Sequence, residues 1–332
     1  VQKILIIRFS SIGDIVLTTP VVRAIKTQVK DAEVHYLTKA SYREILIHNP
    51  YIDKVFTIDK SVSEVASFLK KQHYDFIVDL HRNLRSLHTK LLLQRPFKSF
   101  KKLNIQKWLV VNLKINILPD VHIVDRYMAA AKPLGVINDG AGLDYFIPEK
   151  DEITYDDMPA FLKSAFIGIV IGGKHQTKQY PDEKVRKLCR QLTAPVILLG
   201  GPEDRERAEN IRDGLPNIVF NGCGAFSLNQ TASIIKKASA IVTNDTGLMH
   251  IAAALKKPIV SLWGNTIPEF GMTPYLPRKS ETITKILEVK GLSCRPCSKI
   301  GFNKCPKGHF RCMQQINETE VLEAIRNVKK DC

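Results

Sequence analysis

No stretch of this chain approaches the roughly 20 apolar residues that a membrane-spanning helix needs. The opening run Ile4-Leu5-Ile6-Ile7 ends at Arg8, too short for the apolar core of an export signal. The expectation is therefore a soluble, cytoplasmic protein. Acid is scarce: 33 Asp and Glu stand against 49 Lys and Arg, a formal net charge of +16. Such a surplus favours anionic partners. Nucleic acid, phospholipid headgroups and phosphorylated glycolipids all qualify, and so does a basic surface that merely serves solubility. No recognisable nucleic-acid motif accompanies the charge. Two nucleotide signatures are also missing. Without G-x-x-x-x-G-K-[ST] there is no P-loop, and without G-x-G-x-x-G a dinucleotide-dependent dehydrogenase loses its main support. With no export signal, the seven cysteines do not read as a disulfide framework.

What the chain does have is a repeated alternation. At 332 residues and 44% hydrophobic content it can bury two cores. Strands are expected at 3–9, 33–37, 54–58 and 75–80. Helical patterns fall between them at 15–26 (kinked by Pro20), 42–48 and 62–72. Residues 146–165 interrupt the rhythm with two prolines and several acids and read as a linker. Beyond it, strands at 166–171, 196–199, 218–221, 240–243 and 259–262 alternate with helices at 181–192, 204–212, 228–237 and 248–255. This is the pattern of βαβ units and parallel sheets. The expected architecture is α/β, with two Rossmann-like doubly wound domains at 1–155 and 156–332. Ligands of such sheets bind at the carboxyl ends of strands, so the active site is expected in a cleft between the two.

Four strand-to-helix turns hold the chemistry. Arg8-Phe9-Ser10-Ser11-Ile12-Gly13-Asp14 closes the first strand. Asp14 there either caps the helix or serves as a general base for an acceptor hydroxyl. Asn244-Asp245-Thr246-Gly247-Leu248-Met249-His250 leads into an Ala-rich helix, whose unpaired amides and positive dipole end suit a pyrophosphate. His250, four residues after Thr246, shares its helical face and is either a ligand contact or a packed side chain. Gly172-Gly173-Lys174-His175-Gln176-Thr177-Lys178 offers two lysines to a leaving diphosphate, or simply two solvated lysines. Gly200-Gly201-Pro202-Glu203-Asp204 places a carboxylate that either holds ribose hydroxyls or caps a helix.

Taken in order, these motifs resemble glycosyltransferase family 9, the ADP-heptose:lipopolysaccharide heptosyltransferases. The opening I-R-F-S-S-I-G-D-I-V-L-T-T-P, the run N-D-T-G-L-M-H-I-A-A-A and the K-Q-Y-P and G-G-P-E-D turns carry the likeness across nearly the whole chain. Asp79-Leu80-His81-Arg82 and Val124-Asp125-Arg126-Tyr127 match weaker segments. The resemblance implies a GT-B fold with the acceptor on the first domain and the nucleotide sugar on the second. It implies Asp14 as catalytic base and Lys178 as the catalytic lysine on the donor phosphates. On the donor side come Lys174, Asp204 at the ribose, Asp245 at sugar hydroxyls, and Thr246, Gly247, Leu248 and His250 around the diphosphate. On the acceptor side come Ser11, Gly13, His81, Arg82 and Arg85. The implied reaction is an inverting transfer of heptose from ADP-heptose to an anionic, lipid A-linked glycolipid of the lipopolysaccharide inner core. It needs no cofactor and no catalytic metal, since lysine and helix amides can meet the leaving charge. Family members often carry hydroxyl residues where this chain has Gly173-Lys174, so a second lysine stands in for them. A relative using another nucleotide sugar, a silent scaffold and a nucleic-acid-binding protein are the alternatives.

Two features remain. Cys294, Cys297, Cys305 and Cys312, with His309 among them, either hold a structural zinc or are packed thiols or a redox-labile pair; Cys189, Cys223 and Cys332 stand alone. Residues 95–108 interleave lysines with Phe97, Phe100 and Trp108. They suit peripheral contact with the inner membrane, or a core helix with a solvated outer face.

Overall fold

Apolar tetrads such as Ile4-Leu5-Ile6-Ile7 and Val196-Ile197-Leu198-Leu199 are almost wholly buried, as strands are when helices cover both faces of a parallel sheet. The computed structural model describes residues 1–216 and 218–329 and contains two such sheets. Cys332, expected to stand alone, lies outside the described residues. The chain divides into two compact units. The first comprises 1–103, 121–146 and 277–279; the second comprises 104–120, 147–276 and the described residues from 280 onward. One boundary at 155 does not describe this division, because 104–120 and 147–155 belong with the second unit and 277–279 with the first.

In the first unit lie β1 (Gln2–Ile7), β2 (Ala32–Lys39), β3 (Lys54–Ile58), β4 (Phe76–Asp79) and β5 (Phe97–Ser99). Their order is β3-β2-β1-β4-β5, every neighbouring pair parallel. The strand order reverses between β1 and β4, where Ile7 pairs with Asp79. Helices α1 (Ile12–Val16), α2 (Thr19–Gln28), α3 (Ala66–Lys70) and α4 (Leu84–Leu93) follow. Next come α5 (Asn104–Leu113), which belongs with the second unit, and α6 (Ile123–Ala131) of the first. The core gathers Leu5, Ile7, Phe9, Leu37, Phe56, Leu69 and Ile77.

The second unit orders its strands β11-β10-β9-β6-β7-β8, again all parallel. These are β6 (Ile167–Val170), β7 (Val196–Leu199), β8 (Val219–Asn221), β9 (Ala240–Asn244), β10 (Ile259–Trp263) and β11 (Thr284–Glu288). Its helices are α7 (Asp182–Gln191), α8 (Arg205–Arg212), α9 (Leu228–Lys237), α10 (Gly247–Ala254), α11 (Arg311–Gln314) and α12 (Glu318–Lys329). Here the reversal falls between β6 and β9. In open parallel sheets such reversals are where ligands bind, beyond the carboxyl ends of the strands.

Several expectations change. The single helix at 15–26 is two, α1 and α2. Pro20 lies in the first turn of α2, where its missing N–H costs nothing, and so starts a helix instead of kinking one. Residues 42–48 form a 3-10 turn at Ala40–Ile45, and 62–72 splits into a 3-10 turn and α3. The basic stretch 95–108 is neither one core helix nor one interfacial helix: it holds edge strand β5 and the first turns of α5. Residues 147–165 contain only the 3-10 turns Glu149–Asp151 and Ala160–Lys163.

Candidate active site

At the β1/β4 reversal, the first strand runs into Arg8, whose buried guanidinium is held on three sides. Its Nη2 lies 2.7 Å from Asp14 Oδ1, Nη1 donates to Leu80 O at 2.6 Å, and Nε donates to Ser10 O at 2.7 Å. The Tyr127 ring lies 5.7 Å from its centre. Burial alone would lower the arginine's pKa; Asp14 and the surrounding groups outweigh it and raise it further. Asp14 occupies the third position of α1. Its Oδ2 accepts the Ser11 N–H at 3.3 Å and the Ser11 hydroxyl at 3.0 Å. The carboxylate thus caps the helix and still keeps 22% of its side chain exposed, so capping and reactivity are not exclusive. Ser11 is exposed and Gly13 buried.

Across the reversal, Asp79 is a buried hub. Oδ1 accepts the backbone N–H groups of His81 (3.0 Å) and Arg82 (2.7 Å). Oδ2 accepts from Ser86 Oγ, Lys90 Nζ and Ser99 Oγ at 3.0, 2.8 and 2.9 Å. Burial would push this carboxyl's pKa up, but Lys90 and the two amides hold it below the usual range. The hub fixes the turn from which His81 and Arg82 project. His81 is half-buried, edge-on to Phe9 at 5.3 Å. Burial first, then the positive charges of Arg8 and Lys102, lower its pKa to about 4. At neutral pH it is an uncharged imidazole. Arg82 and Arg85 are exposed at the same edge.

In the second unit the two motif loops flank the β6/β9 reversal. Lys178 Nζ lies 2.5 Å from Asp245 Oδ2, which also accepts the Thr266 hydroxyl at 2.9 Å. Thr246 is the N-cap of α10 but places no side-chain hydrogen bond on the helix amides; its methyl faces Gly173, where an added Cβ would lie 3.4 Å away. Buried Asn244 ties the loops together, accepting the Tyr180 N–H at 3.1 Å and donating to Val170 O at 3.2 Å. Arg207 reinforces them through Gln179 Oε1 (2.9 Å), Ile171 O (3.0 Å) and Tyr180 O (3.1 Å). Gly247 and Leu248 are half-buried in the first turn of α10, and His250 is buried in its second. Lys174 is exposed on the same loop as Lys178. Burial first, then Lys178 and Lys174, depresses the pKa of His175, a sign that positive charge gathers at this edge.

Asp204 lies deeper than a ribose contact on an open loop would. It is 5% exposed, and its Oδ2 accepts the Gly201 N–H at 3.0 Å. A Cβ on Gly172 would approach that oxygen to 2.4 Å, which is why both adjoining strand ends carry glycine. Burial raises its pKa.

The cysteine cluster departs from the zinc reading. Cys294, Cys297, Cys305 and Cys312 are free thiols, and Cys294 Sγ is 3.8 Å from His309 Nε2. Among the described residues no group of three or more His, Cys, Asp or Glu is arranged to hold a metal ion. Burial pushes the Cys312 thiol up to about 12, so it stays protonated. Sequence reasoning quoted Arg8, Asp79 and Asn244 within its motifs without giving them a role, and it passed over Arg207 and Thr266. Arg8, Asp79 and Asn244 stand at or just beyond a strand's carboxyl end, the one signal that could have flagged them.

Two doubly wound units, each with charged side chains gathered at its strand-order reversal, define the GT-B class of glycosyltransferases. The model of glycosyltransferase family 9 (heptosyltransferase) matches residues 62–299, and the chain belongs to that family; it is a transferase. Lipopolysaccharide heptosyltransferase 1 of Campylobacter coli is 25% identical, over 99% of this chain and 100% of that one. Among solved structures, the family 9 glycosyl transferase of Veillonella parvula has a TM-score of 0.80 at 22% identity, covering 100% of this chain and 98% of the other. The E. coli ADP-heptose lps heptosyltransferase II has a TM-score of 0.74 at 22% identity, covering 99% and 98%.

Proposed function

We propose that this protein transfers heptose from ADP-heptose to a hydroxyl of a lipid A-linked inner-core acceptor in lipopolysaccharide synthesis, with inversion at the anomeric carbon. The observation that carries the reading is the Lys178–Asp245 pair at the mouth of α10. It sets a cation, an acceptor of sugar hydroxyls and free helix amides around one point, as a sugar diphosphate requires. The family match and the likeness to an ADP-heptose-using transferase support the choice of donor.

In this mechanism Asp14 takes the proton of the acceptor hydroxyl as its oxygen bonds to the anomeric carbon. The bond from that carbon to the diphosphate oxygen breaks on the opposite side, and ADP departs. Lys178 and the first amides of α10 meet the charge that builds on the diphosphate; Lys174 adds a second cation. Asp245, held by Thr266, orients the sugar through its hydroxyls, and buried Asp204 shapes the neighbouring turn by accepting the Gly201 N–H. His81, neutral at pH 7, and Arg82, Arg85, Ser11 and Gly13 form the acceptor side, with the arginines matched to acceptor phosphates.

The test is acceptor-dependent ADP release with ADP-heptose, run beside UDP-glucose and GDP-mannose, with the anomeric configuration of the product read by NMR. Turnover confined to ADP-heptose with an inverted product is expected. Preferential use of another donor, or retention of configuration, would replace this reading.

A further inference from the structure

A surface helix normally turns its apolar stripe inward and its polar side out. Helix α4 does the reverse. It buries Ser86, Thr89 and Lys90, drawn in by the Asp79 hub. Outward it presents Leu84 (83% exposed), Leu87 (44%) and Leu91 (65%), which at i, i+3 and i+7 form a single stripe. Only the last turn is conventional, with Leu92 and Leu93 packed on the core. Phe97, on edge strand β5, is 51% exposed beside the stripe's C-terminal end in sequence. Leaving such side chains in water forgoes the burial energy that a covering phase would return.

Charge identifies the cover. Residues 80–119 carry nine Lys and Arg and no Asp or Glu. In the first unit, Arg85 and Arg95 are exposed on and just after α4, and Lys98 is exposed on β5. The same acid-free run continues into the second unit, where Ile105 and Trp108 are exposed. A protein partner with an apolar groove would explain the leucines but not the lack of acid over this length. Exposed apolar side chains within an acid-free, cation-rich stretch match an anionic lipid surface, into whose headgroup boundary such stripes insert. Among the described residues no helix is long and apolar enough to cross a membrane, so the contact is peripheral.

We infer that the α4 stripe with Phe97 and its flanking cations docks the protein onto an anionic phospholipid bilayer. This goes beyond the transfer reaction, and its test needs neither donor nor glycolipid. The full chain is floated with vesicles of phosphatidylethanolamine and phosphatidylglycerol, and separately with pure phosphatidylcholine. Binding is expected only to the anionic vesicles, weakening with added salt as headgroup charge is screened. L84S/L87S/L91S should bind at least about 10-fold more weakly, since three inserted side chains are lost. R95E/K98E should lose at least about 25-fold, at roughly 5-fold per cation removed near the surface. Both variants should melt like the parent, because every changed side chain is exposed. Equal binding to neutral vesicles, no binding by the parent chain, or undiminished binding by both variants would overturn the inference. So would light scattering in which the leucine changes dissolve a dimer while vesicle binding persists, since the stripe would then be covered by a second copy.

Discussion

Replacing Asp14 separates the two jobs its geometry allows. Asp14→Ala removes a 2.7 Å ion pair to buried Arg8 and the acceptor of the Ser11 N–H and hydroxyl. Stranding a buried charge costs about 3–5 kcal/mol and losing a helix cap about 1 kcal/mol. Arg8 keeps the carbonyls of Ser10 and Leu80, so the lower end applies, about 4 kcal/mol with the cap included. That corresponds to a fall in Tm of roughly 8–16 °C. Asp14→Asn keeps one acceptor oxygen, enough for the Ser11 cap but not also for the charge on Arg8, and should cost about 2 kcal/mol, or roughly 4–8 °C. An amide, however, cannot take a proton at neutral pH. If Asp14 is the base, both variants lose turnover by about 10²–10⁴ despite their different stabilities. The assay is ADP release at saturating substrates, beside calorimetric melting of each variant. Should Asp14→Asn keep turnover within about ten-fold of the parent while Asp14→Ala loses it, activity is tracking the cap and the base assignment is wrong.

Lys178→Ala should lower kcat/KM for the donor by about 10²–10³, the usual loss when one preorganised donor to a developing anion is removed; unchanged donor kinetics would disqualify it. The Asp79 carboxyl, with its folded-state pKa depressed, contributes stability that is present above its unfolded value near 3.9 and lost as pH falls through the folded value. Asp79→Asn should therefore destabilise the first unit by about 3–5 kcal/mol at neutral pH and flatten the acid limb of its urea-midpoint profile. His81 acts over a higher window: the unfolded imidazole binds a proton near 6.5 and the folded one only near 4. Its share of stability is thus lost as pH falls between those values, and NMR should find its ring titrating near the lower one. Gly172→Ala, which drives a methyl toward Asp204 Oδ2, should cost about 1–3 kcal/mol by thermal denaturation.

Legibility followed burial. Strands 54–58 and 196–199 and helix 228–237 were bounded from the sequence to the residue, because apolar runs and a Ser227 cap mark them. Edge strands β5 and β11 were missed; half-exposed segments such as Phe97–Ser99 have neither alternation nor an apolar run. The split of 15–26 turned on Thr18, whose hydroxyl bonds Ile15 O at 2.6 Å and lies 2.9 Å from the Tyr36 hydroxyl, a tertiary contact invisible in a linear pattern. Of the site, Asp14, Lys178 and Asp245 were readable as turn residues after strands. Their partners Arg8 and Thr266 were not, since pairing between loops depends on which strands lie side by side. The inverted polarity of α4 was hidden for the same reason: its cause, Asp79, acts from a neighbouring strand.

Asn244 has a consequence for how tightly a donor can be held. Both ends of its amide are spent on backbone, one on the lysine loop and one on β6, so the loop is moored before any ligand arrives. Ordering a loop on capture typically consumes about 0.5–1.5 kcal/mol per immobilised side chain. A moored loop is spared most of that cost, and each contact made by its lysine can count toward affinity or rate instead of toward freezing its own support.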